Sequence, residues 1–568
     1  MGRDGRGRHA MEGHGGTQFG RELTRRQFLT RSAGVAFALP SAAAIIAACT
    51  GAKPAKATVL KVGWSSEPDT MNPITSYSTE ALEVLQLVYD KLIEYDASLK
   101  PEPGLAERWE YSSDGLDITY HLRQGVKWHD GQPFSSEDVK FTFDLIHDEN
   151  LGEYAQWLTD MTGVDTPDAN TMVLSFSKPQ AFNPGLAIPI LPQHVWQGKS
   201  RSDIHKFSND QPVGTGPFSF VDWKQGETLT IKRNEGWWGE KPAAQTIIFV
   251  LYGNEDVMAQ SLRAGEVDIL TEVPPTIWDG LGGAANVKAV SLPSFSFHHI
   301  GFNVSTSPDS KGNPLLLDPV IRQALSNAVD RNQLVQLALA GHGQPGSVLL
   351  PPAFGDWQLQ IPPDQQMNAK PDQANQMLDQ AGYVDSNGDG VRESKDGTPL
   401  EFRLIAIEST TVDVRAAELF RDAAQTVGIK LDLQTMDENT LGNTVYNTKA
   451  PDWDIFVWGW DSGVADPDYM LGIVLCSQIG GNNDVFYCDE KYDRLYAEQA
   501  TTIDEAKRRP LVDQMQQMFY DSAAYIVMWY QDKLQAYRTD TWTGWTETPG
   551  GMVFNFTRDN YLNVKPAS

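Results

Sequence analysis

The chain has 568 residues, 41% of them hydrophobic, with 48 Gly, 33 Pro and a formal net charge of −28. That length exceeds what one hydrophobic core supports, so two or more domains are expected, and the composition is that of a loop-rich globular protein. The acidity excludes nucleic acid as a partner, since phosphate binding relies on clustered Lys and Arg, and gives a cationic ligand a favourable field.

The first 31 residues run against this balance, with seven Arg and three acids. Residues 1–23 are Gly- and Arg-rich without apolar pattern, which predicts disorder. Arg25 and Arg26 then precede Phe28-Leu29 and a mildly apolar stretch ending in Ile46-Ala47-Ala48-Cys49. The whole resembles a twin-arginine export signal closed by a lipobox. The apolar run of about 17 residues is Ala-rich and broken by Pro40, so a lipid anchor fits better than a membrane-spanning helix. Residues 1–48 are therefore expected to form a lipoprotein signal, Cys49 to be the lipidated first mature residue, and 49–58 to be a tether. If Cys49 carries lipid, Cys476 and Cys488 form the only intrachain pair, and export permits their oxidation. No CxxC and no HExxH occurs, which leaves a zinc site without a foothold.

In the body of the chain, Val59–Pro73 reads as a strand followed by a Pro-bounded loop and a helix near Leu82–Leu92. Leu116, Ile118, Tyr120 and Leu122 alternate with polar residues after the turn residues SSDG, which predicts a hairpin. Ser135 to Asp138 then forms a capping-box start for a helix whose Val139, Phe143 and Ile146 share a face. The Gly-rich Pro212–Phe218 lacks the Lys-Ser/Thr ending of a phosphate loop and reads as a turn leading into a strand. Adjacent His298 and His299 point to opposite faces of a strand and cannot easily share a metal.

From about residue 304, helices (319–329, 331–339, 373–381, 414–427) alternate with strands (400–407, 429–433), which implies an α/β domain. Asp385, Asn387, Asp389 and Asp396 fit the oxygen spacing of a calcium loop, with Gly390 at the sixth position. Asp396 is shorter than the usual Glu and a strand follows, so calcium and a plain polar turn both stay open. Trp453–Trp460 is an apolar strand with three Trp that runs directly into Asp461 and Asp466. Trp offers rigid amphipathic contact area, and an adjacent Asp can hold an ammonium. Ala523–Arg538 is a late apolar strand.

The order and wording of Ala106–Asp144, Pro212–Phe218, Arg263–Leu270, Ala324–Arg331, Leu378–Glu393 and Gly459–Leu471 closely resemble the family 5 extracytoplasmic solute-binding proteins, the peptide- and nickel-type receptors of ABC importers. The resemblance implies an α/β, two-lobed periplasmic-binding-protein-like clamshell (type II, cluster C) with an extra subdomain in the first lobe. Its expected bounds are 59–303 for the first lobe, with the subdomain at about 96–211, 304–522 for the second, and 523–568 returning to the first. It also implies a monomer on the extracytoplasmic face, partnered by permease and ATPase subunits. By position it assigns Ser66, Glu67 and Pro68 to one wall of the ligand cleft, facing Trp458, Trp460, Asp461 and Asp466. In peptide-binding relatives an Asp three residues after the Gly-Trp pair captures the peptide amino terminus. Here that position is Gly463, so either Asp461 substitutes or the ligand lacks a free α-amine.

The expected function is therefore capture of a peptide by lobe closure, without enzymatic activity and without a required cofactor. The alternatives are the same fold binding an oligosaccharide or other solute, and a lipid-anchored secreted hydrolase. The latter finds neither a GxSxG elbow nor an HExxH.

Overall fold

A computed structural model describes residues 58–553 and 557–567. Arg25, Arg26, Cys49 and most of the tether lie outside the described residues.

The first strand, β1 (Val59–Trp64), leads through the Pro-bounded loop to α1 (Thr79–Val88), whose N-cap Ser78 accepts from the Ala81 amide. The expected hairpin is β2 (Ala106–Tyr111) and β3 (Asp117–Leu122), and Ile118, Tyr120 and Leu122 are its buried face. Next comes α2 (Ser136–Glu149), where the Ser135 amide donates to Asp138 Oδ2 at 3.0 Å, closing the capping box. With β4 (Met161–Asp168) and β5 (Thr171–Phe176) the hairpin forms an antiparallel sheet of order β2–β3–β5–β4.

The chain then adds β6 (Phe218–Lys224), β7 (Thr228–Arg233), β8 (Thr246–Leu251), β9 (Ile269–Leu270) and β10 (Val287–Pro293). β1 lies parallel to β8 and β9, and β7 and β6 continue the sheet beyond β8. The two glycines of Pro212–Phe218 serve packing. A Cβ on Gly214 would sit 1.8 Å from the Val88 carbonyl oxygen, and the Gly216 amide donates to that oxygen at 2.9 Å. The loop thus lies on the end of α1 rather than around an anion.

The second half contains β11 (Ser296–Phe302), β12 (Glu401–Ile407), α3 (Thr411–Gln425), β13 (Lys430–Met436), α4 (Glu438–Val445), β14 (Ile455–Asp461), α5 (Pro467–Gly472) and α6 (Glu505–Ser522). Its strands run in the order β13–β12–β14–β11. Ile300, Phe302, Leu404, Ile455 and Val457 bury their side chains in one core.

A single long strand, β15 (Tyr525–Arg538), joins the halves. Tyr525–Trp529 contains the residues that pair with β11, and Asp532–Arg538 pairs with β10. Because β10 and β11 are separated only by Ser294-Phe295, the chain crosses twice at one place, near 293–296 and 530–533. The family resemblance places the corresponding boundaries at 303 and 523. β11 pairs with β14 on one edge and β15 on the other, which sets it in the second lobe. Contacts cluster Ala57–Ser568 into one compact unit. Among the described residues no helix is long and apolar enough to cross a membrane.

Candidate functional site

Trp458 and Trp460 are two apart on β14, so their side chains share a face. Both indoles are aimed by one buried carboxylate. Trp458 Nε1 donates to Asp484 Oδ2 at 2.8 Å and Trp460 Nε1 donates to the same oxygen at 3.0 Å. The Tyr525 hydroxyl donates to Asp484 Oδ1, and His299 Nε2 lies 3.4 Å from Oδ2. Asp484 is 0% exposed. It stands in the segment closed by the Cys476–Cys488 disulfide, next to Asn483, whose Nδ2 donates to the Leu475 and Tyr487 carbonyls. Tyr446, just after α4, stacks on Trp458 with centroids 5.5 Å apart.

This aromatic wall borders a cavity of about 400 Å³ whose floor is the crossing strands, at Ser294, Ser296, Gln531, Asp532 and Lys533. Asp461 ends β14 at its edge, Glu438 and Asp413 reach it from α4 and α3, and Glu272 comes from the first lobe. Lys533 forms an ion pair with Glu272. His298 Nδ1 pairs with Asp413 Oδ1 at 2.8 Å, and its ring stacks on Trp529. The two adjacent histidines thus serve separate carboxylates on opposite sides of β11. Asp461 is reached by solvent in the cleft yet surrounded by protein mass. That desolvation pushes its carboxyl up to about 6, opposed by the charge of Lys533 and reinforced by Glu272.

Beyond Asp461 the chain passes two more cavities. Gly463 and Val464 border a small one of about 80 Å³ with Tyr89, Tyr95, Tyr154 and Trp157 of the first lobe. Ala465 and Asp466 border the larger one, about 540 Å³, with Tyr95, Trp109 and Tyr111 on one side and Trp357 and Arg508 on the other. Asp466 itself is engaged. It caps α5 by accepting from the Asp468 amide at 2.9 Å and receives both Arg508 Nη atoms, at 2.8 and 2.7 Å. The structure therefore separates Asp466 from Asp461 and gives it an internal partner.

Ser66, Glu67 and Pro68 border none of these three cavities. Glu67 accepts from the Gly226 amide in the β6–β7 turn, Pro68 is buried and Ser66 is exposed. The loop after β1 is folded onto its own sheet rather than toward β14.

The Asp385 loop closes on itself. Asp385 accepts from the Gly388 and Gly390 amides at 2.6 and 3.0 Å, and Asn387 Nδ2 donates to Asp389 and Glu393. Ligand oxygens of Asp385, Asp389 and Glu393 lie within 4.8 Å of one another. Asp396, expected at the twelfth position, instead accepts from Ser394. The bridge between Val384 and Glu393 is the cause, because it folds Glu393 back over the loop.

The family model described as "Bacterial extracellular solute-binding proteins, family 5 Middle" matches residues 100–482, well over half of the chain. The chain belongs to this family. Among similar family 5 proteins, the oligopeptide-binding protein AppA of Bacillus subtilis is 26% identical over 516 residues, covering 87% of this chain and 92% of AppA. The di/tripeptide-binding protein 1 of Pseudomonas aeruginosa is 28% identical over 464 residues, covering 76% and 81%. The solved structure of Bacillus subtilis AppA in complex with a nonapeptide superposes with a TM-score of 0.73 at 24% identity, over 91% of this chain and all of that one. That likeness establishes the two-lobed fold of the family 5 proteins for this chain.

Proposed function

We propose that this protein is the peptide-capturing receptor of an ABC importer, held at the extracytoplasmic face by lipid on Cys49. The observation that carries the reading is the cavity at the lobe crossing, where Trp458, Trp460 and the desolvated Asp461 face a space bordered by both lobes. Relatives named for binding oligopeptides and di/tripeptides align over most of the chain. Rigid indoles give a peptide large contact area, and closure of the lobes is favoured only by the contacts a ligand makes in the closed state. The connection through two short crossings suits such a hinge. The closed form then docks on a permease, with ATP hydrolysis supplied by other chains.

The test is calorimetric titration of the purified protein with peptides of two to nine residues and with manno- and gluco-oligosaccharides. Saturable peptide binding, weakened by Trp458→Ala or Trp460→Ala, supports the reading. Sugar binding with no peptide binding overturns it.

A further inference from the structure

Five carboxylates border the cavity beside β14, and three of them are already engaged. Glu272 is paired with Lys533, Asp413 with His298, and Asp532 accepts from the Ser291 hydroxyl at 2.5 Å. Asp461 and Glu438 form no ion pair among the described residues, although Lys533, held by Glu272, lends Asp461 a favourable charge. They flank Trp458 and Trp460, whose N–H edges are turned inward to Asp484. A hydrogen bond from an indole N–H to a carboxylate enriches the ring in electrons, and an electron-rich indole face attracts a cation. Among the described residues only Asp385, Asp389 and Glu393 converge closely enough to hold a bare metal ion, so the carboxylates of this cavity suit an extended organic cation instead.

We propose that this cavity is the specificity pocket for a basic side chain, lysine or arginine, of the bound peptide, with Asp461 and Glu438 as counter-ions and Trp458 and Trp460 as walls. The inference rests on the peptide reading above. The charge of the cavity disfavours an acidic side chain there, because a further carboxylate would join five others that share only Lys533 and His298 as basic groups. A neutral side chain would leave Asp461 and Glu438 without an ion pair, as they are in the free protein.

Calorimetry tests this with alanine-based tri-, penta- and nonapeptides that carry one central Lys, norleucine or Glu, each also N-acetylated, and with free agmatine. The Lys peptides should bind about tenfold or more tighter than the norleucine ones, with Glu weakest, and N-acetylation should leave that ratio in place. In Asp461→Asn/Glu438→Gln the ratio should fall to about one, and a near-UV circular dichroism spectrum matching that of the wild type shows that the variant is folded. Equal affinities in the wild type, or a preference that survives in the double variant, overturn the proposal. So does a preference that vanishes on N-acetylation, which would assign the cavity to the α-ammonium. All three results leave the peptide reading intact. If no peptide binds but agmatine binds the wild type and not the variant, the peptide reading fails and the cation pocket stands. If neither peptide nor agmatine binds, the pocket is refuted as well.

Discussion

Removing the Asp484 carboxylate should disorganise the aromatic wall without touching ligand. In Asp484→Ala three donors lose their acceptor: the indole N–H groups of Trp458 and Trp460 and the Tyr525 hydroxyl. Hydrogen bonds to a charged group contribute about 1.5–3 kcal/mol each. The two indoles are only partly buried and can turn to water, whereas Tyr525 is 5% exposed and cannot. Deleting the carboxylate also removes its own desolvation cost and leaves no unpaired charge behind, so the net loss should be about 1–3 kcal/mol, the cost of a buried hydroxyl left without its acceptor. Asp484→Asn keeps one carbonyl acceptor for the indoles but turns an NH2 toward Tyr525 or the indoles, at roughly 1–3 kcal/mol. Urea unfolding followed by tryptophan fluorescence gives the stability, and near-UV circular dichroism reports the setting of the indoles. An unchanged midpoint and unchanged near-UV spectrum in Asp484→Asn would refute the proposed anchoring.

Four further outcomes follow from other charged groups. Arg508→Lys should not rescue Arg508→Ala, because lysine cannot reproduce the two-pronged contact with Asp466 or the third bond to Gln499; the alanine variant should lose about 3–5 kcal/mol, and equal stability of lysine variant and wild type would contradict this. Glu83, held by Trp64 and Tyr561, is pushed up to about 8 by burial. The folded state therefore keeps a proton that the unfolded chain releases near pH 4, and stability contributed by Glu83 should fall as pH rises from about 4 to 8. Glu83→Gln should flatten that slope, and parallel melting-temperature profiles for the two proteins would contradict it. Asp461 obeys the same sign over a narrower window, from its unfolded value to about 6. Asp461→Asn should flatten the profile there, with Lys533, Glu272, His298, Asp413, Glu438 and Asp532 left as the charged neighbours. Affinity of the wild type for a lysine peptide should also drop below pH 6 as Asp461 takes up its proton.

Local patterns carried much of this fold. The period-two run at Ile118–Leu122 and the capping box at Ser135–Asp138 announced a hairpin and a helix because both depend on neighbours in sequence. Trp458 and Trp460 were legible for the same reason, being two apart on an apolar strand. α4 was not, because Glu438–Val445 contains a Gly, two Thr and a Val, a weak helix sequence whose one clear signal is Asp437 as N-cap. Glu438 and Tyr446 were missed with it. Asp484 leaves no local trace, since its donors lie 24, 26 and 41 residues away and meet it only in the folded sheet. Lys533 and Glu272 are likewise 261 residues apart, joined by the return of β15. Ser66, Glu67 and Pro68 had been assigned by position alone, and the Gly226 amide accounts for where the Glu67 carboxylate goes instead.

Native mass spectrometry of the protein purified gently from its own cells reads the bound solute without prior choice of ligand. A ladder of peptide-sized adducts, enriched in lysine or arginine and released on partial unfolding, is the predicted result. A single non-peptide mass, such as an oligosaccharide, would contradict the assignment of this receptor to peptides.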